Sequence, residues 1–293
     1  MIETLGHSGA TRALVVVAHP DDETFGTGSL LLHLADSGMT TAVCCASRGE
    51  AGEVRQGVTV PPGGIATLRE AELRDAATLL GVSEVFLLDL LDSGMTGAAP
   101  AGSILAEPFA EVTRRVSRAV ADFHPDLIVT LDGSDGHRDH ARMRDAAVAV
   151  GREQGIPVWL HCLPRRLMRR WAGQLAGQDP DSPYLALADL GTTDELITER
   201  IDTTRQYERR LEGIARHRSQ VSPYEALPED LRRAFLTIEH LRRAVGVGMP
   251  SDPDRARHQH NTSTCYWDLL ECRWTCHQPP STTNAAGIRR ASP

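Results

Sequence analysis

Residues 14–23 read Leu-Val-Val-Val-Ala-His-Pro-Asp-Asp-Glu, and this run restricts the fold more than any other in the chain. A continuous apolar, β-branched stretch suits a strand buried on both faces, as in a parallel sheet covered by helices. The polar cluster begins where the strand leaves the sheet, and Pro20 opens a tight turn. Open α/β sheets bind ligands outside that end of their strands. His19 and Asp22 are three apart on the turn, so both can face one point. Asp21 lies between them and stays free for proton transfer. An imidazole and a carboxylate on a metal, with a second carboxylate beside them, is the equipment of metal-assisted hydrolysis.

A third ligand is expected at the end of another strand. Asp126-Leu-Ile-Val-Thr-Leu131 is a second buried-strand pattern, and it runs into Asp132-Gly-Ser-Asp-Gly-His-Arg-Asp-His140. The Gly and Asp residues make a turn, and a helix is expected to begin near Arg138. His137 and His140 are one helical turn apart and can face the same side. One of this pair would complete three protein ligands and leave a position open for water.

Strands are expected at 13–18, 40–46, 84–89, 126–131 and 157–162, with helices at about 24–36, 66–80, 107–123 and 139–153. This alternation predicts an α/β fold: a Rossmann-like, mostly parallel sheet with helices on both faces, in a single domain. Gly81 reads as a helix C-cap, and Pro125 ends the helix before the fourth strand. Later helices are expected over about 194–217 and 228–245. The Gly- and Pro-rich loop 47–65 follows a strand and should overhang the site. From Gly246 the apolar periodicity is lost. The domain is therefore expected to span 1–249, with 250–293 a mostly disordered tail.

The chain resembles the LmbE/PIG-L-like zinc-dependent de-N-acetylases over roughly residues 12–245. The motifs are Ala18-His-Pro-Asp-Asp-Glu23, Ser47-Arg-Gly-Glu-Ala-Gly-Glu53, Arg69-Glu-Ala-Glu-Leu73, Asp92-Ser-Gly-Met95, Gly136-His-Arg-Asp-His140 and His217-Arg-Ser-Gln220. The resemblance implies zinc on His19, Asp22 and His140, with Fe2+ possible at the same ligands. It implies Asp21 as general base and His137 as a protonated stabiliser of the oxyanion, with Asp139 orienting it. Glu53, Arg69 and Asp92 align with substrate contacts. The implied substrate is a small N-acetylglucosamine-type amide. Arg138 replaces the family's usual Pro, at a position expected only to shape the turn. Asp135 stands where mycothiol-pathway members carry Tyr, so that branch's substrate does not transfer.

Rival readings exist. Two His and a carboxylate also form the facial triad of non-haem iron enzymes, but Asp21 beside the ligands favours hydrolysis. An amidase acting on a larger thiol-sugar conjugate would use the same centre. A binding protein without activity would have lost Asp21 or a ligand, and none is lost. Gly26-Thr-Gly28 lacks the third glycine of a dinucleotide fingerprint and reads better as close helix–strand packing. Arg165, Arg166, Arg169 and Arg170 read as a solvated helix face. Cys265, Cys272, Cys276 and His277 match no common zinc module.

A net charge of −8 argues against nucleic acid or an anionic membrane as partner. No apolar run is long enough to span a bilayer, which leads to an expectation of a soluble, cytoplasmic protein. The six cysteines suggest no disulfide framework. A homo-oligomer is compatible with all of this.

Overall fold

A computed structural model describes residues 10–187, 190–245, 264–268 and 273–277. The apolar run forms β1 (Arg12–Val17), whose residues 14–17 are all buried. It pairs in parallel with β2 (Thr40–Cys45) on one side and β4 (Leu127–Leu131) on the other. β3 (Val82–Leu87) extends the sheet beyond β2, and β5 (Val158–His161) beyond β4, again in parallel.

Strand side chains alternate between two cores. Leu14, Val16 and Ala18 pack with Val112, Val116 and Val120 of α4 (Phe109–Phe123) and with Met143 and Val150 of α5 (Arg138–Gln154). Ala13, Val15 and Val17 pack with Leu30, Leu31 and Leu34 of α2 (Gly28–Asp36) and with Leu73 of α3 (Gly64–Leu79). The strand order is β3-β2-β1-β4-β5-β7-β6. The first five positions give the doubly wound order, which reverses between β1 and β4. That reversal opens a crevice at the carboxyl ends of these two neighbours.

The expected helix 24–36 is interrupted. A short α1 (Asp22–Phe25) precedes α2, with Gly26 and Thr27 between them. A Cβ on Gly26 would lie 2.6 Å from Leu131 Cδ2, so this glycine serves close helix–strand packing. Gly81 follows the end of α3 at φ 78°, which favours a residue without Cβ.

The largest departures fall after α6 (Arg165–Gln178). The expected helix 194–217 is instead β6 (Glu199–Asp202) followed by α7 (Tyr207–Ile214). The expected helix 228–245 is α8 (Glu229–Leu236) followed by β7 (Ile238–Val245). β7 pairs antiparallel with both β5 and β6. Its charged sequence hides the strand, because Glu239 is buried against Arg210 at 2.8 Å and replaces an apolar residue. Tertiary pairing overrides local propensity here. The Arg face of α6 is partly paired, Arg166 with Asp194 at 2.8 Å and Arg170 with Asp230 at 2.5 Å.

The chain divides into two units, residues 1–247 and 248–293. In the second unit, β8 (Thr264–Asp268) and β9 (Arg273–His277) form an antiparallel pair, with Trp267 opposite Trp274. The rest of the segment expected to be disordered, Cys272 included, lies outside the described residues. Among the described residues, no helix is long and apolar enough to cross a membrane.

Candidate metal centre

The turn after β1 is built around Asp22. Its Oδ2 accepts the backbone N–H groups of Ala18 at 3.1 Å and His19 at 2.8 Å, which fixes the carboxylate beneath the strand end. Asp21 adopts φ 129°, a region that L-residues rarely enter. Such a conformation costs about 1–3 kcal/mol and persists where the surroundings enforce it, commonly at functional sites. On the neighbouring strand, the glycine turn after β4 leads into α5. His137 is the N-cap of α5, its Nδ1 accepting the N–H of Asp139 at 3.2 Å. His140 follows in the first turn.

These two strand ends bring donor atoms of three residues together, with both oxygens of Asp22 taking part. His140 Nε2 lies 3.1 Å from Asp22 Oδ1 and 3.3 Å from His19 Nδ1, and His19 Nδ1 lies 3.6 Å from Asp22 Oδ2. Three ligands about 2.1 Å from a tetrahedral ion stand about 3.4 Å apart, and the spacings among these three residues are of that size. The outer edge of each ring meets carboxylates. His19 Nε2 donates to Asp139 Oδ2 at 3.2 Å and lies 3.4 Å from Asp92 Oδ1. His140 Nδ1 lies 2.5 Å from Asp135 Oδ2. Imidazoles that hold metals are commonly oriented in this way. Two other groupings overlap the triangle within 4.8 Å, namely His19, His137 and His140, and His19, Asp92 and Asp139. In the first, His137 has its Nδ1 engaged by the Asp139 N–H. In the second, both carboxylates sit on the outer edge of His19.

The charges follow from this packing. Burial opposes ionisation of Asp22, yet His140 and His19 beside it hold its carboxyl well below the usual range. Burial also works against charged His19, but its bonds to Asp139 and Asp92 raise it to about 10. Asp21 is pushed up to about 7, first by burial and then by the Asp22 charge. His137 is pulled down to about 4 by burial and by His19 and His140.

Two expectations change. The Asp139 carboxylate does not orient His137. It holds His19 and accepts the Ser93 N–H at 2.9 Å, because the first turn of α5 directs it toward the loop after β3. His137 accepts the Asp139 N–H at Nδ1, which suits a neutral ring. With Nδ1 occupied, its proton resides on Nε2. Arg138 also does more than shape the turn. Its guanidinium donates to the carbonyls of Gly94 and Gly97, each at 2.7 Å, and to those of Ser93 and Thr96, lacing down the 93–97 loop.

The expected substrate contacts are differently placed. Arg69 is buried and donates to the Gly49 carbonyl at 2.8 Å and the Glu53 carbonyl at 3.0 Å, so it ties down the overhanging loop. Glu53 itself is exposed on that loop. Asp92 lies on the outer edge of His19, and its Oδ1 accepts the Gly94 N–H at 2.8 Å.

Tyr184 sits in a 3-10 turn over Pro183–Ala186 with its ring edge-to-face on Trp171. This segment closes over the second motif: a Cβ on Gly136 would lie 2.4 Å from Leu187, and the Gly191 N–H donates to Ser134 O at 2.7 Å. Burial, with the charges of Asp135, Asp21 and Asp22 nearby, pushes the Tyr184 phenol up. No sequence pattern marked it, because it lies in an irregular stretch.

Fold and centre together define an α/β protein with a histidine–carboxylate cluster at its strand-order reversal. The chain belongs to the PIG-L family, GlcNAc-PI de-N-acetylase, whose model matches residues 14–150. A 1D-myo-inositol 2-acetamido-2-deoxy-alpha-D-glucopyranoside deacetylase from Kineococcus radiotolerans is 30% identical, over 83% of this chain and 80% of its own length. Among solved structures, an A40926 pseudoaglycone deacetylase matches with TM-score 0.56 and 20% identity, over 79% of this chain and 96% of that one. The N,N'-diacetylchitobiose deacetylase of Pyrococcus horikoshii matches with TM-score 0.52 and 20% identity, over 80% and 84%. The two structural likenesses are likenesses of fold.

Proposed function

We propose that this chain is a zinc-dependent hydrolase that removes an acetyl group from the amide nitrogen of a small N-acetylglucosamine-type conjugate. The observation that carries this reading is the triangle of His19 Nδ1, Asp22 and His140 Nε2 with Asp21 beside it. These three residues would hold the ion. Bound there, zinc supplies Lewis-acid polarisation of the carbonyl and acidifies water for attack.

The protein's own groups do the rest. Asp21, buried beside Asp22, accepts a proton from the attacking water. It then returns the proton to the departing nitrogen, since an amide anion cannot leave. His137 Nε2–H donates to the developing oxyanion, and the Tyr184 hydroxyl, from the segment that covers the second motif, is a second donor in this reading. Glu53 meets sugar hydroxyls from the overhanging loop, while Arg69 and Asp92 shape the walls around the sugar. In this reading the catalytic domain spans 1–249, and 250–293 is not part of it. Cys44, Cys45 and Cys162 are buried free cysteines, which is compatible with the reducing, cytoplasmic setting of this reading.

The test is release of free amine and acetate from a panel of N-acetylglucosaminides, inositol-linked ones included, with and without chelator. Release that stops on chelation and returns with zinc is expected. Metal-loaded protein inert toward every acetylated glucosamine conjugate would overturn the reading.

A further inference from the structure

The strained residue beside the centre is held by groups that the mechanism does not use. The peptide unit between Pro20 and Asp21 has two polar ends, and both are bound. The Asp21 N–H donates to Glu23 Oε2 at 2.9 Å, and the Pro20 carbonyl accepts from Gln220 Nε2 at 2.7 Å. The two partners are linked to each other. His217 Nε2 lies 2.7 Å from Glu23 Oε1, and Gln220 Nε2 lies 3.4 Å from His217 Nδ1. Thr24 also donates to Glu23 Oε1, at 2.5 Å. Glu23 and Thr24 are fully buried, His217 is 2% exposed and Gln220 6%.

We infer that Glu23, His217 and Gln220 form a bracket that fixes the Pro20–Asp21 peptide plane and so sets the Asp21 side chain for proton transfer. The inference rests on the proposed role of Asp21 as base. Rotation about the N–Cα bond of Asp21 is defined relative to this peptide plane. With the carbonyl and N–H both held, φ can stay at 129° although the isolated residue would relax. The i, i+3 spacing in His217-Arg-Ser-Gln220 lets one turn reach both ends of the bracket. A cavity of about 490 Å³ has His217 and Gln220 in its wall, together with Arg55, Leu211 and Tyr224, and none of the donor residues of the metal centre. The bracket therefore supports the centre from outside it. These are positioning residues: none is placed against the reacting amide.

A purely structural His–Glu pair would, when broken, lower stability, metal content and substrate affinity together. A positioning bracket would not. The experiment compares His217→Ala and His217→Gln, measuring kcat, KM, bound metal and hydrogen exchange of the Asp21 amide. His217→Ala is expected to lower kcat by up to about 10²-fold, the scale of a small misplacement of a reacting group. KM and bound metal should stay near wild type, and the Asp21 amide should exchange faster. His217→Gln places an amide N–H near the same point and should recover most of the kcat and the protection. Wild-type kcat in the Ala variant, or parallel losses without rescue by Gln, would overturn the bracket. If His217→Ala does not fold, Gln220→Ala tests the carbonyl end: a kcat loss at constant KM supports the bracket, and unchanged kcat overturns it. If the wild type deacetylates nothing, the proposed function fails, yet the exchange comparison still decides whether the bracket holds the peptide.

Discussion

Asp135 Oδ2 lies 2.5 Å from His140 Nδ1, on the ring edge turned away from Asp22. A carboxylate there fixes the ring and raises its basicity as a ligand. Asp135→Ala should weaken metal binding by about 10–100-fold, as loss of such a partner commonly does. Asp135→Asn, which keeps an acceptor oxygen, should weaken it less. Chelator competition reads both, and a wild-type affinity in the Ala variant would contradict the assignment.

Asp21 and Asp22 are adjacent yet should separate by role. Asp22→Ala removes one of three proposed protein ligands and should strip the metal. Asp21→Asn preserves size and removes basicity, so it should retain metal and lose turnover. Metal analysis and turnover on the same preparations are sufficient. Equal metal loss in the two variants would make Asp21 a ligand.

His137 should act through its Nε2–H. His137→Ala is expected to lower kcat by about 10²–10³-fold with metal content nearly unchanged, the scale of losing one oxyanion donor. Tyr184→Phe should lower kcat in the same direction while preserving the stacking on Trp171. A His137→Ala protein without metal would place this ring among the ligands, with His19 and His140.

Acid sensitivity of the fold should trace in part to Glu239. Burial alone would raise its carboxyl, but Arg210 at 2.8 Å and His161 at 2.7 Å hold it below the usual range. A depressed carboxylate contributes stability that is complete above its unfolded value, about 4.3, and lost as pH falls through the folded value. The melting-temperature gap between wild type and Glu239→Gln should therefore be constant from about pH 8 to 5 and narrow below about pH 4. A gap that stays constant to about pH 3 would refute this account.

The second unit should be separable. Truncation after residue 249 is expected to leave the melting temperature and deacetylation close to those of the full chain. A collapse in either would show that the hairpin Thr264–Asp268 and Arg273–His277 serves the catalytic unit.

The central strands were legible because β1, β2, β4 and β5 are short apolar runs that end in turn residues. That His19, Asp22 and His140 would meet was legible because polar residues at such ends have few other reasons to cluster. β7 was not, since Glu239 and His240 occupy buried strand positions and break the apolar pattern. The role of Asp139 was misread because adjacency to His137 says nothing about where a side chain in the first turn of a helix points. The strain at Asp21 has no sequence signature, and its partners Glu23 and Gln220 become meaningful only when α1 and the segment after α7 meet.

His19 and His140 touch across 121 positions of chain. A growing polypeptide therefore carries half of this centre before the other half exists, and an ion held by the proposed ligands would not serve as the nucleus of folding. Closure must wait for β4 to dock beside β1, a crossover whose search through sequence is slow. What prepares the site in the meantime is local: Asp22 is already tethered to the amides of Ala18 and His19. On the proposed ligand set, metal loading would be a late checkpoint, one that only a chain with its two halves correctly joined could pass.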